Sequence, residues 1–149
     1  MSTLTIHATN ITGLGACQVV ISFLEGLESL DTNYSRIQCY VPDSGPVSNY
    51  QPRSSKLKIS KFRRYGPNAM SRVLECIFPQ FFFNLGDHLI VLGDVPLRTS
   101  TKQLLLVHQP HLQDPKVNEF VGRSAVFRAM RMPCVVTMRF ILMRNQMKV

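Results

Sequence analysis

Cysteine, acidic side chains and long apolar runs are all scarce in this chain of 149 residues. The four cysteines stand at positions 17, 39, 76 and 134, irregularly spaced and with no C-x-x-C pair. That spacing excludes a disulfide framework or a zinc ribbon and suits free, buried thiols in a reducing compartment. No bound metal is expected. The longest apolar stretches fall well short of the roughly 18–20 residues that span a bilayer, so no transmembrane helix is expected. Residues 1–9 lack a basic start followed by a long apolar run, so no secretory leader is expected either. Internal repeats and low-complexity tracts are also missing.

Acids are few and unevenly placed. Nine Asp and Glu face seventeen Lys and Arg, a formal charge of +8. Residues 53–72 hold Arg53, Lys56, Lys58, Lys61, Arg63, Arg64 and Arg72 without one acid, and the chain after Arg123 holds Arg128, Arg131, Arg139, Arg144 and Lys148 on the same pattern. Such surfaces attract polyanions: nucleic acid, anionic lipid head groups or phosphorylated substrates. A merely solvated face is the plainer reading, and both stay open. Phe62 and Tyr65 are too few aromatics, among these cations, to suggest a single-strand-binding platform, so nucleic acid is not the expected partner.

Hydrophobic residues make up 45% of the chain. A domain of this length buries roughly 68–70% of its extended surface, enough for one core. A single domain over 1–149 is expected. Residues 4–8 (LTIHA) form a first strand candidate, followed by a small-residue loop through Gly13, Leu14, Gly15 and Ala16. Residues 17–30 then show helical spacing, with Val19, Val20, Phe23, Leu27 and Leu30 inward and Glu25 and Glu28 toward water. Residues 36–41 (RIQCYV) form a second strand before the Pro42-to-Pro46 turn, and 56–62 alternates basic with apolar as a more exposed strand. Pro67 suits the start of a helix with Ala69, Met70, Val73, Leu74 and Ile77 as its apolar stripe. Glu75 on that helix reads as a partner for Arg72. The run Phe81-Phe82-Phe83 reads as core or interdomain contact.

The chain is organised around residues 88–112. Two continuous apolar runs, HLIVLG and KQLLLVHQP, suit strands covered on both faces, as in a parallel sheet. The first leaves into Gly93-Asp94-Val95-Pro96 and the second into His108-Gln109-Pro110-His111. In open α/β sheets, ligands sit beyond the carboxyl ends of the strands, so these exits read as one wall of a crevice. The connection at 97–102 is short for a parallel crossover. Either its helix is reduced to an extended bridge or the two runs are not parallel neighbours. Residues 120–149 read as helical, broken at Pro133, and end in mid-pattern at Lys148-Val149, which suggests a missing continuation.

The early strand, small-residue loop and helix, together with LECIFPQFFF, HLIVLGDVPL and QLLLVHQPHL, resemble the N-terminal half of a family 4 retaining glycosyltransferase of the GT-B type. The resemblance runs to about Pro115. It implies an α/β, Rossmann-like, mostly parallel sheet with helices on both faces, facing a second domain across a cleft. In that family the second domain holds most of the nucleotide-sugar donor through a paired-glutamate motif, while the N-terminal domain shapes the acceptor side. Carried onto this chain, Gly13, Gly15 and Ala16 match the loop near the donor phosphates, His108 the histidine at the end of the fifth strand near the transferred sugar, and Gly93 to Pro96 the turn beyond the fourth. Asp94 and His111 become acceptor-side candidates. The loop here is Gly-Leu-Gly rather than adjacent glycines, and the paired-glutamate motif is missing.

The expected function is therefore the acceptor side of sugar transfer from a nucleotide sugar to a glycan or lipid-linked acceptor. No cofactor is implied beyond that donor substrate, and no activity is expected without a donor-binding C-terminal domain or subunit. The expected setting is cytoplasmic, at most peripheral on an anionic membrane face. A noncatalytic Rossmann-like partner protein and a basic nucleic-acid-binding domain are the competing readings.

Overall fold

The computed structural model describes residues 2–64, 68–93 and 95–106. Five strands, β1 (Ser2–His7), β2 (Tyr34–Pro42), β3 (Leu57–Phe62), β4 (His88–Val91) and β5 (Lys102–Leu105), form one sheet in the order β3-β2-β1-β4-β5. Every pairing is parallel. Helix α1 (Leu14–Ser29) links β1 to β2, a 3-10 turn at Pro46–Asn49 lies between β2 and β3, and α2 (Asn68–Ile77) with a second 3-10 turn at Pro79–Phe81 leads into β4. This is a Rossmann-like α/β arrangement. The expected helical segment at 120–149 lies outside the described residues.

Strand alternation divides the core in two. Leu4, Ile6 and Ala8 of the first strand and its exit, with Ile37, Cys39, Val41 and Leu57, pack against Cys17, Val20 and Leu24 of α1. The opposite face holds Leu89 and Val91 with Cys76 of α2, Phe83 and Leu97. Each fully buried Leu or Val contributes on the order of 1.5–3 kcal/mol, so both faces are needed to hold the sheet. The helical period locates α1 correctly but misplaces the centre of its buried stripe. Val19 and Leu30 are exposed, and the sheet-facing line runs through Cys17, Val20 and Leu24. Glu28, expected in water, ties down the following loop: it accepts from the Tyr50 hydroxyl at 2.6 Å and from the Arg53 and Ser54 amides at 2.8 Å each.

The short crossover resolves in favour of the extended bridge. β4 and β5 are parallel neighbours, and no helix lies between them among the described residues. The bridge is pinned by side chains instead. The Gln103 amide donates to the Leu97 carbonyl at 2.8 Å while its oxygen accepts from the Leu97 amide at 3.1 Å. Leu97 itself is fully buried, and the Arg98 amide bonds the Cys76 carbonyl at 2.7 Å.

The phenylalanine run splits. Phe83 is buried against His7, Tyr40 and Phe62, whereas Phe81 is 77% exposed. On α2, Met70 and Leu74 also face out, and the side turned to the sheet carries Glu75 and Cys76.

Candidate functional site

The order of the strands places a switch point between β1 and β4, where successive connections depart in opposite directions along the sheet. Loops diverge there and leave a crevice at the carboxyl edge. On one side the chain leaves β1 through Thr9, Asn10 and Ile11 into α1. On the other it leaves β4 through Leu92 and Gly93. The two exits touch: a Cβ on Gly93 would lie 3.3 Å from Asn10 Cβ.

Gly13 caps α1 without a side-chain hydrogen bond, and the first intrahelical bond runs from the Cys17 amide to the Gly13 carbonyl at 2.8 Å. The amides of Leu14, Gly15 and Ala16 therefore have no helical partner and carry the positive end of the helix dipole. Gly13 has an ordinary φ of −72°, and a Cβ at Gly13 or Gly15 would meet nothing within 4 Å. Neither glycine is required by packing. Both leave bare backbone at the carboxyl edge of the sheet, the condition for close approach of a phosphate.

At the exit of β1 lies a polar cluster that no motif in the sequence announces. His7 and Glu75 are buried, and Arg64, just beyond β3, reaches them. Arg64 donates through Nε to Glu75 Oε1 and through Nη2 to Glu75 Oε2 at 3.0 Å, to the Thr9 hydroxyl at 2.9 Å and to Asn10 Oδ1. The expected Glu75–Arg72 pair is replaced by this one. Thr9 donates to Glu75 Oε2 at 3.0 Å and stands 3.0 Å from His7 Nε2. With the Thr9 proton committed to the carboxylate, the His7 proton is assigned to Nε2. His7 Nδ1 is buried and has no partner among the described residues. Burial, and then the nearby Arg64 charge, hold the His7 imidazole down to about 3, so it is neutral at physiological pH.

The cluster cross-links the ends of β1 and β3 to α2. Its charges cancel, but Arg64 Nη1 has no partner among the described residues. Arg64 also borders a pocket of about 320 Å³ lined by Phe62, Arg63, Ser71, Leu74, Glu75 and Phe82. A guanidinium immobilised through Nε and Nη2, with Nη1 left over, can meet an anion at little further entropic cost.

Gly13, Gly15 and Ala16 thus share the carboxyl edge with Gly93 and with the exit from β5, where the Leu106 amide bonds the Val91 carbonyl at 2.8 Å. Asp94, His108 and His111 lie outside the described residues. No group of three or more His, Cys, Asp or Glu among the described residues is placed to hold a metal ion. No helix among them is long and apolar enough to cross a membrane. Comparison with protein-family models, curated proteins and solved structures returns no match. The functional reading therefore rests on fold and site.

Proposed function

We propose that this chain is the acceptor-side, Rossmann-like half of a sugar transferase that uses a nucleotide-activated donor. The observation that carries the reading is the bare glycine loop at the switch point. Among the described residues nothing crowds Gly13 or Gly15, and they open α1 where the β1 and β4 exits meet. In such a reaction the bond from the anomeric carbon to the diphosphate oxygen breaks with its electron pair going to the diphosphate, a bond to the acceptor oxygen forms, and the acceptor's hydroxyl proton passes to the departing diphosphate. The amides of Leu14, Gly15 and Ala16 would stabilise the charge on the diphosphate. His108 would contact the transferred sugar, with Asp94 and His111 on the acceptor side. The donor would be completed by a second domain or subunit carrying the paired glutamates.

The test is titration of the chain with a nucleoside diphosphate, followed by backbone amide chemical shifts. Shifts confined to residues 13–16 and 93, lost in Gly13→Ala/Gly15→Ala without loss of stability, support the reading. Shifts elsewhere, or an unaffected double variant, overturn it. Transfer of sugar by the isolated chain would overturn the requirement for a companion.

A second reading, a noncatalytic Rossmann-like partner protein, is favoured by the outward face of α2 and its neighbour turn. Met70, Leu74, Phe78 and Phe81 are exposed there, and Arg63 lines the same pocket as Leu74. Contiguous apolar surface of this kind is characteristic of contact sites. A companion domain bearing the donor site would reconcile the two readings, and the neighbouring open reading frame is the place to look for its paired glutamates. An anionic membrane face would compete for the same surface, and vesicle co-sedimentation separates the cases.

A further inference from the structure

The sheet has a second concavity, far from the glycine loop. It lies on the sheet face that carries Thr3 and Thr5, and runs from the level of Thr3 and Arg36 to that of Tyr40 and Ser60. Its volume is about 400 Å³, within the ordinary range for small-molecule sites. Its floor is polar where a doubly wound sheet is normally apolar. β1 supplies Thr3 and Thr5, β2 supplies Arg36, Gln38 and Tyr40, and β3 supplies Lys58 and Ser60. Two cations and no acid line it.

The hydrogen bonds fix the polarity of this floor. Gln38 is nearly buried and fully committed: its oxygen accepts from Arg36 Nη2 at 3.2 Å, and its amide donates to Ser60 Oγ at 2.6 Å. With that lone pair occupied, the Ser60 proton is free to point outward. Tyr40 is in the same position, because its oxygen accepts from the Asn84 amide at 2.9 Å and its own proton has no partner among the described residues. Thr5 is used up by the Asn84 carbonyl and the Gly86 amide. Thr3 is used up by Asp87. Among the side chains of the three strands, what remains to be satisfied is the rest of the Arg36 guanidinium, the Lys58 ammonium and the Ser60 and Tyr40 hydroxyls, each with a proton to donate. Asn84, which also lines the groove, adds a carboxamide that can donate or accept. The parallel register places Gln38 opposite Lys58 and Tyr40 opposite Ser60, so these donors converge from adjacent strands.

We infer that this groove binds the phosphate group of a small molecule. A planar carboxylate accepts within one plane, whereas a tetrahedral phosphate accepts from donors at different heights on two strands. Gln38 acts as a positioning residue, holding Arg36 and turning Ser60. The site is distinct from the glycine loop, none of whose residues lines it.

The experiment is calorimetric titration of the full chain at 150 mM salt with inorganic phosphate, a sugar monophosphate and acetate as probes. The variant pair is Arg36→Gln/Lys58→Gln, with Lys56→Gln/Lys61→Gln removing the same charge from outside the groove. Phosphate-bearing probes should bind, and the first pair should weaken them about tenfold or more, the loss expected for charged hydrogen bonds, while the second leaves them within a factor of about two. Tighter binding of the sugar monophosphate assigns the rest of the groove to its organic part, and equal binding assigns the site to free phosphate; both support the proposal. It is overturned by no saturable binding, by equal weakening in both variant pairs, by acetate binding as tightly as phosphate, or by amide shifts that map to residues 13–16 instead of 36–40 and 58–60.

Discussion

His7 should make the fold sensitive to mild acid, and the size of the effect can be worked out. Its ordinary value is 6.5, and burial together with Arg64 holds it down to about 3 in the folded chain. A base depressed on folding takes up its proton preferentially in the unfolded state. Its contribution is therefore complete above pH 6.5 and is lost progressively as pH falls toward 3. At pH 5 the folded imidazole is still neutral, while the unfolded one is 1.5 pH units below its midpoint. The loss there is about 2 kcal/mol, rising to about 3.4 at pH 4. Urea unfolding at pH 7 and pH 5 measures it in wild type and in His7→Gln, whose amide keeps a donor for Thr9. The variant starts from lower stability, but the change between the two pH values is what matters. Carboxylates contribute alike to both proteins and cancel. Wild type should lose about 2 kcal/mol more than the variant over this interval. Parallel losses would show that His7 is not held neutral, and the account of the cluster would fail with it.

Breaking the ion pair from one side should be worse than removing it whole. Glu75→Leu strands a mostly buried Arg64 and should cost about 3 kcal/mol, whereas Arg64→Met/Glu75→Leu should cost less than that single change, measured by a double-mutant cycle in urea. Gly86→Ala should destabilise by about 1–3 kcal/mol in the same assay, because its Cβ would fall 2.6 Å from Thr3 Oγ1 and 2.7 Å from the Thr3 carbonyl oxygen; an unchanged midpoint would refute the close approach. Gly15→Ala should leave stability unchanged or raise it by up to about 1 kcal/mol, since it removes a helix glycine with open space around it. Burial pushes the Cys39 thiol up to about 12, so alkylation of Cys39 at pH 8 should track global unfolding, and rapid labelling of the native chain would contradict its burial.

The sheet was legible because its strands obey simple rules. Continuous apolar runs at 89–92 and 104–107 announced two strands, and β4 and β5 pair in parallel. Cover on both faces holds for the first run, where Leu89, Val91 and Leu92 are buried, but not for the second, which lies at the sheet edge with Leu104 and Leu106 exposed. The bridge between them was legible only as a conflict, since nothing in the spacing shows that Gln103 will satisfy both backbone groups of Leu97. The glycine loop was visible as composition, but its meaning depends on what surrounds each Cβ, which only coordinates give. The polar cluster was hidden for another reason. Its members are scattered from position 7 to position 75, and a lone histidine in an apolar strand carries no mark of its partners.

Helix α2 is where sequence and structure diverge most, and the divergence has one cause. Its apolar stripe predicts that Met70 and Leu74 face the sheet, yet Glu75 and Cys76 do. Burying two such apolar side chains is worth about 1.5–3 kcal/mol each, so the observed rotation forgoes several kcal/mol within the described residues. The ion pair does not recover that by itself, because a buried pair roughly breaks even against apolar replacements. What it does recover is Arg64. With Glu75 turned inward, the guanidinium is fixed across the ends of β1 and β3, bonded to Thr9 and Asn10 on the way into α1, and the displaced stripe is presented outward. The fixing of Arg64 and the exposure of Met70 and Leu74 are thus two results of one helix rotation, and the companion proposed above would bury that stripe.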